Sequence, residues 1–217
     1  MERSAQRGRF LALEGVEGAG KSTQVRLLGD WLTRHGLPHV VTREPGGTAL
    51  GEQVRRALLE SDRVIPRAEL LLMLAARATL VDEVVKPALE RGVVVVTDRF
   101  SLSTLAYQVR GRGLPEAEVR RLNTFATGGL EPDLTLVLDV PLGVGVQRLD
   151  RRGRAPDRFE QADADFHARV AEAYAEFAQH EKTIKRVDGT GSVDEVHAAI
   201  LALLGRRFPE TFGGAAV

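Results

Sequence analysis

The segment Gly15-Val16-Glu17-Gly18-Ala19-Gly20-Lys21-Ser22 limits what this chain can fold into more than any other stretch. It fits G-x-x-x-x-G-K-[ST], the pattern of a loop that cradles phosphates between a buried strand and a helix. Both flanks agree with it: Phe10-Leu11-Ala12-Leu13-Glu14 reads as the strand, and Gln24-Val25-Arg26-Leu27-Leu28 opens a helical pattern. Gly15, Gly18 and Gly20 permit positive φ and let backbone N–H groups close on phosphate oxygens. Those N–H groups form an anion nest at a helix N-terminus, where the dipole also favours negative charge. Lys21 supplies a point charge for the β- and γ-phosphates, the Ser22 hydroxyl suits Mg²⁺, and Thr23 follows in the first helical turn. A glycine-rich turn ending by chance in Lys-Ser is the competing reading, and the filled positions and correct flanks count against it. The pattern points to a nucleoside triphosphate. It leaves the acceptor open.

The 217 residues suffice for one α/β domain with a sizeable core. Thirty basic and thirty acidic side chains cancel, which argues against a nucleic-acid or membrane-surface partner. There is no cysteine, hence no disulfide framework and no thiolate metal site. The five histidines lack ligand spacing. With no long apolar run and no leader-like segment, the cytoplasm is the default expectation. We expect a single domain over 1–217, a lid at about 148–160, and flexible ends at 1–8 and 206–217.

Strands and helices alternate along the chain. Helical spacing marks 24–35, 50–59, 66–90, 115–127, 166–177 and 193–204, with a helix beginning at 144–149. Strand signals fall at 39–42, 93–96, 134–139 and, weakly, 183–187. Val93 to Val96 is β-branched without alternation, as a strand buried on both faces requires. The alternation implies a doubly wound, five-stranded parallel sheet.

Ligands of such sheets sit at the carboxyl ends of the strands. Arg43-Glu44-Pro45-Gly46-Gly47-Thr48 follows the second strand, so it reads as substrate contact rather than as a bare turn. Asp98-Arg99 follows the third: a carboxylate there can hold Mg²⁺ and an arginine can clamp a phosphate. Ser103, Thr104, Tyr107 and Gln108 add polar groups close by. Met73 alone reads as core filler, whereas Arg77, four residues on beside an apolar face, needs a partner. Arg148, Arg151, Arg152, Arg154 and Arg158 form a single-signed cluster broken by Gly153 and Pro156. A charge run is usually a solvated face; this one suits a mobile lid over phosphates.

Together these motifs resemble bacterial thymidylate kinases in order and spacing: the acidic phosphate loop, Thr42 to Thr48, Ala75-Ala76-Arg77, Asp98-Arg99-Phe100 with Ser103 to Gln108, and the arginine lid. The resemblance covers about residues 9 to 204. It implies a P-loop NTPase-type fold, a homodimer, and transfer of a phosphoryl group from ATP to dTMP with Mg²⁺. By matching position, Arg99 and Arg43 would hold the dTMP phosphate, with Glu17 close to it. Arg77 would hydrogen-bond the thymine ring, and Ser103, Thr104, Tyr107 and Gln108 would line the nucleoside pocket. Lys21, Arg99 and the lid arginines Arg151, Arg152 and Arg154 would be catalytic, and Ser22 and Asp98 would hold the metal. Met73 stands where many relatives carry a phenylalanine that stacks on the base.

Two rivals share the phosphate loop. Another nucleoside monophosphate or deoxynucleoside kinase is opposed by the Arg-Glu-Pro-Gly-Gly-Thr and Ala-Tyr-Gln segments. A GTPase switch needs an Asn-Lys-x-Asp guanine reader, yet the single asparagine, Asn123, is followed by Thr124.

Overall fold

The computed structural model describes residues 7–61, 63–151, 153 and 156–213. In chain order the elements are β1 (Phe10–Glu14), α1 (Lys21–Arg34), β2 (His39–Arg43), α2 (Ala49–Glu60), α3 (Pro66–Leu80), a π-helical turn (Val81–Val85) and α4 (Lys86–Glu90). Then come β3 (Val94–Asp98), α5 (Ser101–Thr104), a second π-helical stretch (Leu105–Gly111), α6 (Glu116–Thr127) and β4 (Leu134–Asp139). The remainder is α7 (Leu142–Asp150), α8 (Ala164–His180), β5 (Ile184–Asp188), α9 (Val193–Arg207) and α10 (Pro209–Phe212).

The five strands form one all-parallel sheet in the order β2-β3-β1-β4-β5. Its centre is β1, paired with β3 on one side (Phe10 opposite Val95) and β4 on the other (Leu11 opposite Leu134). Successive side chains of a strand point to opposite faces. Leu11 and Leu13 accordingly enter one hydrophobic core and Phe10 and Ala12 another, with helices covering both faces. All five residues of β1 are buried, whereas the edge strand β2 is only partly so.

Local signals set the boundaries. Thr48 caps α2 by accepting from the Gly51 N–H at 3.0 Å, Asp163 caps α8 through Phe166 N, and Ser192 with Glu195 forms a capping box on α9. The helix expected over 66–90 is present, but its hydrogen bonding widens at Val81–Val85. The C-terminal expectation needs correction: α9 runs to Arg207 and α10 follows it. Phe212 is fully buried and stacks on Trp31 at 5.7 Å, so a large apolar ring ties down this end. At the other end Arg7 pairs with Asp133, and the Gly8 N–H donates to Leu89 O at 2.8 Å.

Candidate active site

The phosphate loop joins β1 to α1 at the carboxyl edge of the sheet. Gly15, Gly18 and Gly20 have φ of 137°, 74° and 98°. A Cβ on Gly18 would lie 2.2 Å from the Gly145 carbonyl oxygen of α7, so close approach as well as φ demands glycine there. Lys21 folds back over the loop, donating from Nζ to Val16 O at 2.7 Å and Gly15 O at 3.0 Å. Burial, with Arg99 nearby, lowers its pKa to about 8. An arriving phosphate would replace these carbonyls with full negative charge. The Ser22 hydroxyl donates to Asp98 Oδ2 at 2.6 Å, bringing together the two expected metal-holding groups from β3 and α1. Among the described residues no three histidine or acidic side chains cluster as a metal site. This donor pair fits an ion that takes its other ligands from phosphate and water.

The chain turns sharply after β3, with Arg99 at φ 74°. Glu14, fully buried at the end of β1, makes this corner possible. Its Oε1 accepts from the backbone N–H groups of Phe100 (2.8 Å) and Ser103 (3.1 Å), and its Oε2 accepts from Ser103 Oγ (2.6 Å) and Tyr174 OH (2.8 Å). The corner aims Arg99 back at the phosphate loop. Its guanidinium donates to Glu17 Oε1 at 2.8 Å, Gly15 O at 3.2 Å, Tyr107 OH at 3.0 Å and Tyr174 OH at 3.1 Å. Burial alone would raise the Glu17 carboxyl, but Arg99, Lys21 and the Tyr107 hydroxyl overrule it and hold the pKa at about 2.

A cavity opens from this cluster, lined by Glu17, Arg99, Ser103, Thr104, Tyr107, Gln108, Met73 and Arg77 from the expected set. Two expectations are altered. Arg43 does not reach the cavity: its guanidinium forks onto Glu52 at 2.9 Å and lines a separate outer cleft with Ser22 and Asp98. Arg55, from the middle of α2, lines both spaces. Arg77 borders the cavity but is only 2% exposed, and protein groups engage its guanidinium. Nε and Nη2 meet Glu44 Oε2 at 2.7 and 2.6 Å, Nη1 meets Thr104 Oγ1 at 2.8 Å and Asn123 Oδ1, and Nη2 also meets Phe100 O at 3.1 Å. Of its five N–H groups, four donate hydrogen bonds to protein groups. Arg77 thus braces the pocket wall that it borders.

The basic cluster is divided. Arg148 donates to Gly189 O at 2.9 Å and lines a cleft with Gly18, Ala19, Gly20 and Thr23, beside the phosphate loop. Arg151 is exposed just past α7, while Arg152 and Arg154 lie outside the described residues. Arg158 pairs with Glu69 at 2.8 Å and donates to Leu58 O at 2.9 Å.

Sequence reading missed Glu14, Arg55, Glu69, Asp157, Phe159 and Tyr174. Glu14 had a signal, an acid closing an otherwise apolar strand. So did Arg55, about two helical turns after a capped helix start. Tyr174 and Phe159 had none, because they come into the site from distant parts of the chain.

Comparison with known proteins agrees with this geometry. The family described as thymidylate kinase matches residues 13–200. The thymidylate kinase of Carboxydothermus hydrogenoformans is 45% identical over 199 residues, covering 91% of this chain and 97% of the relative. That of Alkalilimnicola ehrlichii is 48% identical over 197 residues, covering 89% and 91%. The crystal structure of thymidylate kinase from Ehrlichia chaffeensis superposes with a TM-score of 0.76 at 28% identity, covering 91% of this chain and 99% of the other. With the phosphate loop, the Arg99 corner and the cavity in the same places that its sequence motifs require, the chain belongs to the thymidylate kinase family.

Proposed function

We propose that this chain transfers the γ-phosphoryl group of ATP to dTMP, giving ADP and dTDP on the route to dTTP. The observation that carries this reading is the position of Arg99. It contacts the loop that would hold the donor phosphates, through Gly15 and Glu17, and the cavity that would hold the acceptor, through Tyr107. An acceptor phosphate on Arg99 and Arg55 would lie beside the donor γ-phosphate.

In the proposed reaction an oxygen of the dTMP phosphate attacks the γ-phosphorus and the bond to the ADP oxygen breaks. The chain contributes positioning and charge, as phosphoryl transfer requires. Lys21 and the N–H groups of the loop hold the β- and γ-phosphates. Arg99 and Arg55 hold the acceptor phosphate. Arg151, Arg152 or Arg154 supplies positive charge from the lid, because Val16, Glu17 and Ala19 cannot. Arg148 borders the cleft in which the rest of ATP would lie. Mg²⁺ bound by Ser22 and Asp98 would neutralise charge on the donor phosphates. In the acceptor pocket, Met73 faces the base, with Thr104, Tyr107 and Gln108 around the nucleoside.

We also infer one catalytic domain with a lid at 148–160, acting as a homodimer in the cytoplasm. Support for pairing comes from exposed Leu71 on α3 and Phe125 on α6, two helices that pack together. No described helix is long and apolar enough to cross a membrane. A coupled assay with ATP and a panel of monophosphates tests the acceptor. dTMP should have the highest kcat/KM, and preference for dCMP, dGMP or AMP would overturn the assignment.

A further inference from the structure

Glu69 lies on α3 one helical turn before Met73 and two before Arg77. Its side chain is fully buried. A buried carboxylate is costly unless paired and hydrogen-bonded, so its partners indicate what it serves. Oε1 accepts from Gln108 Nε2 at 2.8 Å. Oε2 meets Arg158 Nη1 at 2.8 Å, and Arg112 approaches both oxygens at 3.4 Å. Arg112 lies over the Phe166 ring and Arg158 over the Phe159 ring, so both cations are held from behind.

Gln108 is the informative partner. A carboxamide has one donor end and one acceptor end, and by itself can present either. A carboxylate only accepts, so Glu69 takes the amino end. The carbonyl end of Gln108 has no partner among the described residues, and Gln108 lines the acceptor cavity. The cavity therefore receives a fixed acceptor beside Met73 and Thr104. Thymine and uracil carry a donor at N3, whereas cytosine carries an acceptor there.

We propose that Glu69 is a positioning residue for base selection: it locks the Gln108 carboxamide with its carbonyl towards the base, so that the pocket accepts an imide N3–H and rejects cytosine. This rests on the reading of the cavity as the dTMP site. Arg158 and Arg112 supply the countercharge that lets Glu69 remain buried. Because Arg158 adjoins Asp157 and Phe159, which line the same cavity, one carboxylate ties the base reader to the cavity's outer wall.

The test uses the full chain. Steady-state kcat and KM are measured for dTMP, dCMP and N3-methyl-dTMP with wild type, Glu69→Gln and Glu69→Asp. Wild type should lose roughly tenfold or more in kcat/KM on N3-methylation, as the loss of a buried hydrogen bond implies. Glu69→Gln frees the carboxamide to rotate. It should lower the dTMP-to-dCMP ratio of kcat/KM by about tenfold, chiefly through KM for dTMP, with kcat within a few-fold. Glu69→Asp keeps the countercharge for Arg158 but shortens the reach to Gln108, so its ratio should fall between the two. It serves as the deciding variant if Glu69→Gln does not fold. A merely structural role would lower kcat/KM for both nucleotides together and leave the ratio unchanged. An unchanged ratio in the folded variants, or full tolerance of N3-methyl-dTMP by wild type, overturns the proposal. Failure of wild type to phosphorylate dTMP at all would instead overturn the assignment of the acceptor.

Discussion

Arg99, Glu17 and Lys21 form a compact charge cluster whose balance sets how the site responds to pH. The Glu17 carboxyl is held at about 2 against an ordinary 4.5, so the native state favours its charged form. The stability this contributes is fully present above pH 4.5 and is lost as pH falls towards 2. Urea unfolding of Glu17→Gln and wild type should thus differ at pH 7 and converge near pH 2; an equal difference at both would refute the assigned ion pair. Lys21 has the opposite sense. Its pKa of about 8 lies below the ordinary 10.5, because burial and the neighbouring Arg99 disfavour the ammonium. Arg55 and Arg43 allow a direct comparison. Arg55→Ala should raise KM for dTMP by roughly ten- to a hundredfold, the worth of a charged hydrogen bond. Arg43→Ala should raise it less, because its guanidinium is turned onto Glu52. The reverse order in steady-state kinetics would return Arg43 to the acceptor phosphate.

Helix α3 carries Met73 and Arg77, which line the cavity, and Glu69 one turn before Met73. Glu69, Met73 and Arg77 recur every four residues and so share one face, and the π-helical stretch Leu105–Gly111 opposite supplies Tyr107 and Gln108. Wide helical turns of this kind are frequent at functional sites. Met73 is half-buried between two hydrophobic clusters, leaving it in contact with both core and cavity. An aromatic face stacks on a base for about 1–3 kcal/mol. Met73→Phe should therefore bind dTMP at least as tightly as wild type in calorimetric titration. A clear rise in Kd would mean that the pocket cannot admit a ring. Arg77 could be recognised in the sequence as a buried cation needing a partner. Its partners were not legible: Glu44, Asn123, and Thr104 with the Phe100 carbonyl come from three other segments.

Across the molecule, the carboxyl edge of the sheet gathers the phosphate loop, the Asp98-Arg99 corner and the cavity. Replacing Arg151, Arg152 and Arg154 together with alanine should lower kcat by about 10³–10⁵, the range for arginines that stabilise phosphoryl transfer. KM for dTMP should change little, since Arg99 and Arg55 remain. A triple variant within a few-fold of wild-type kcat would leave these arginines as a solvated face. Arg158 belongs to a different task. Its pairing with buried Glu69 fixes the far end of the segment to α3.

Motif order and hydrophobic periodicity were enough to read the phosphate loop, the five strands and their parallel pairing, because these depend on contiguous residues and short spacings. The same holds for Lys21, Ser22, Asp98 and Arg99, each fixed by its distance from a strand end. The choice between Arg43 and Arg55, the engagement of Arg77, the Glu14 support beneath the corner and the Glu69–Gln108 lock depend on side chains from separate segments. Which donor meets which acceptor is settled when folding excludes water and each buried polar group must find a partner in space. Periodicity along the chain carries no record of that pairing.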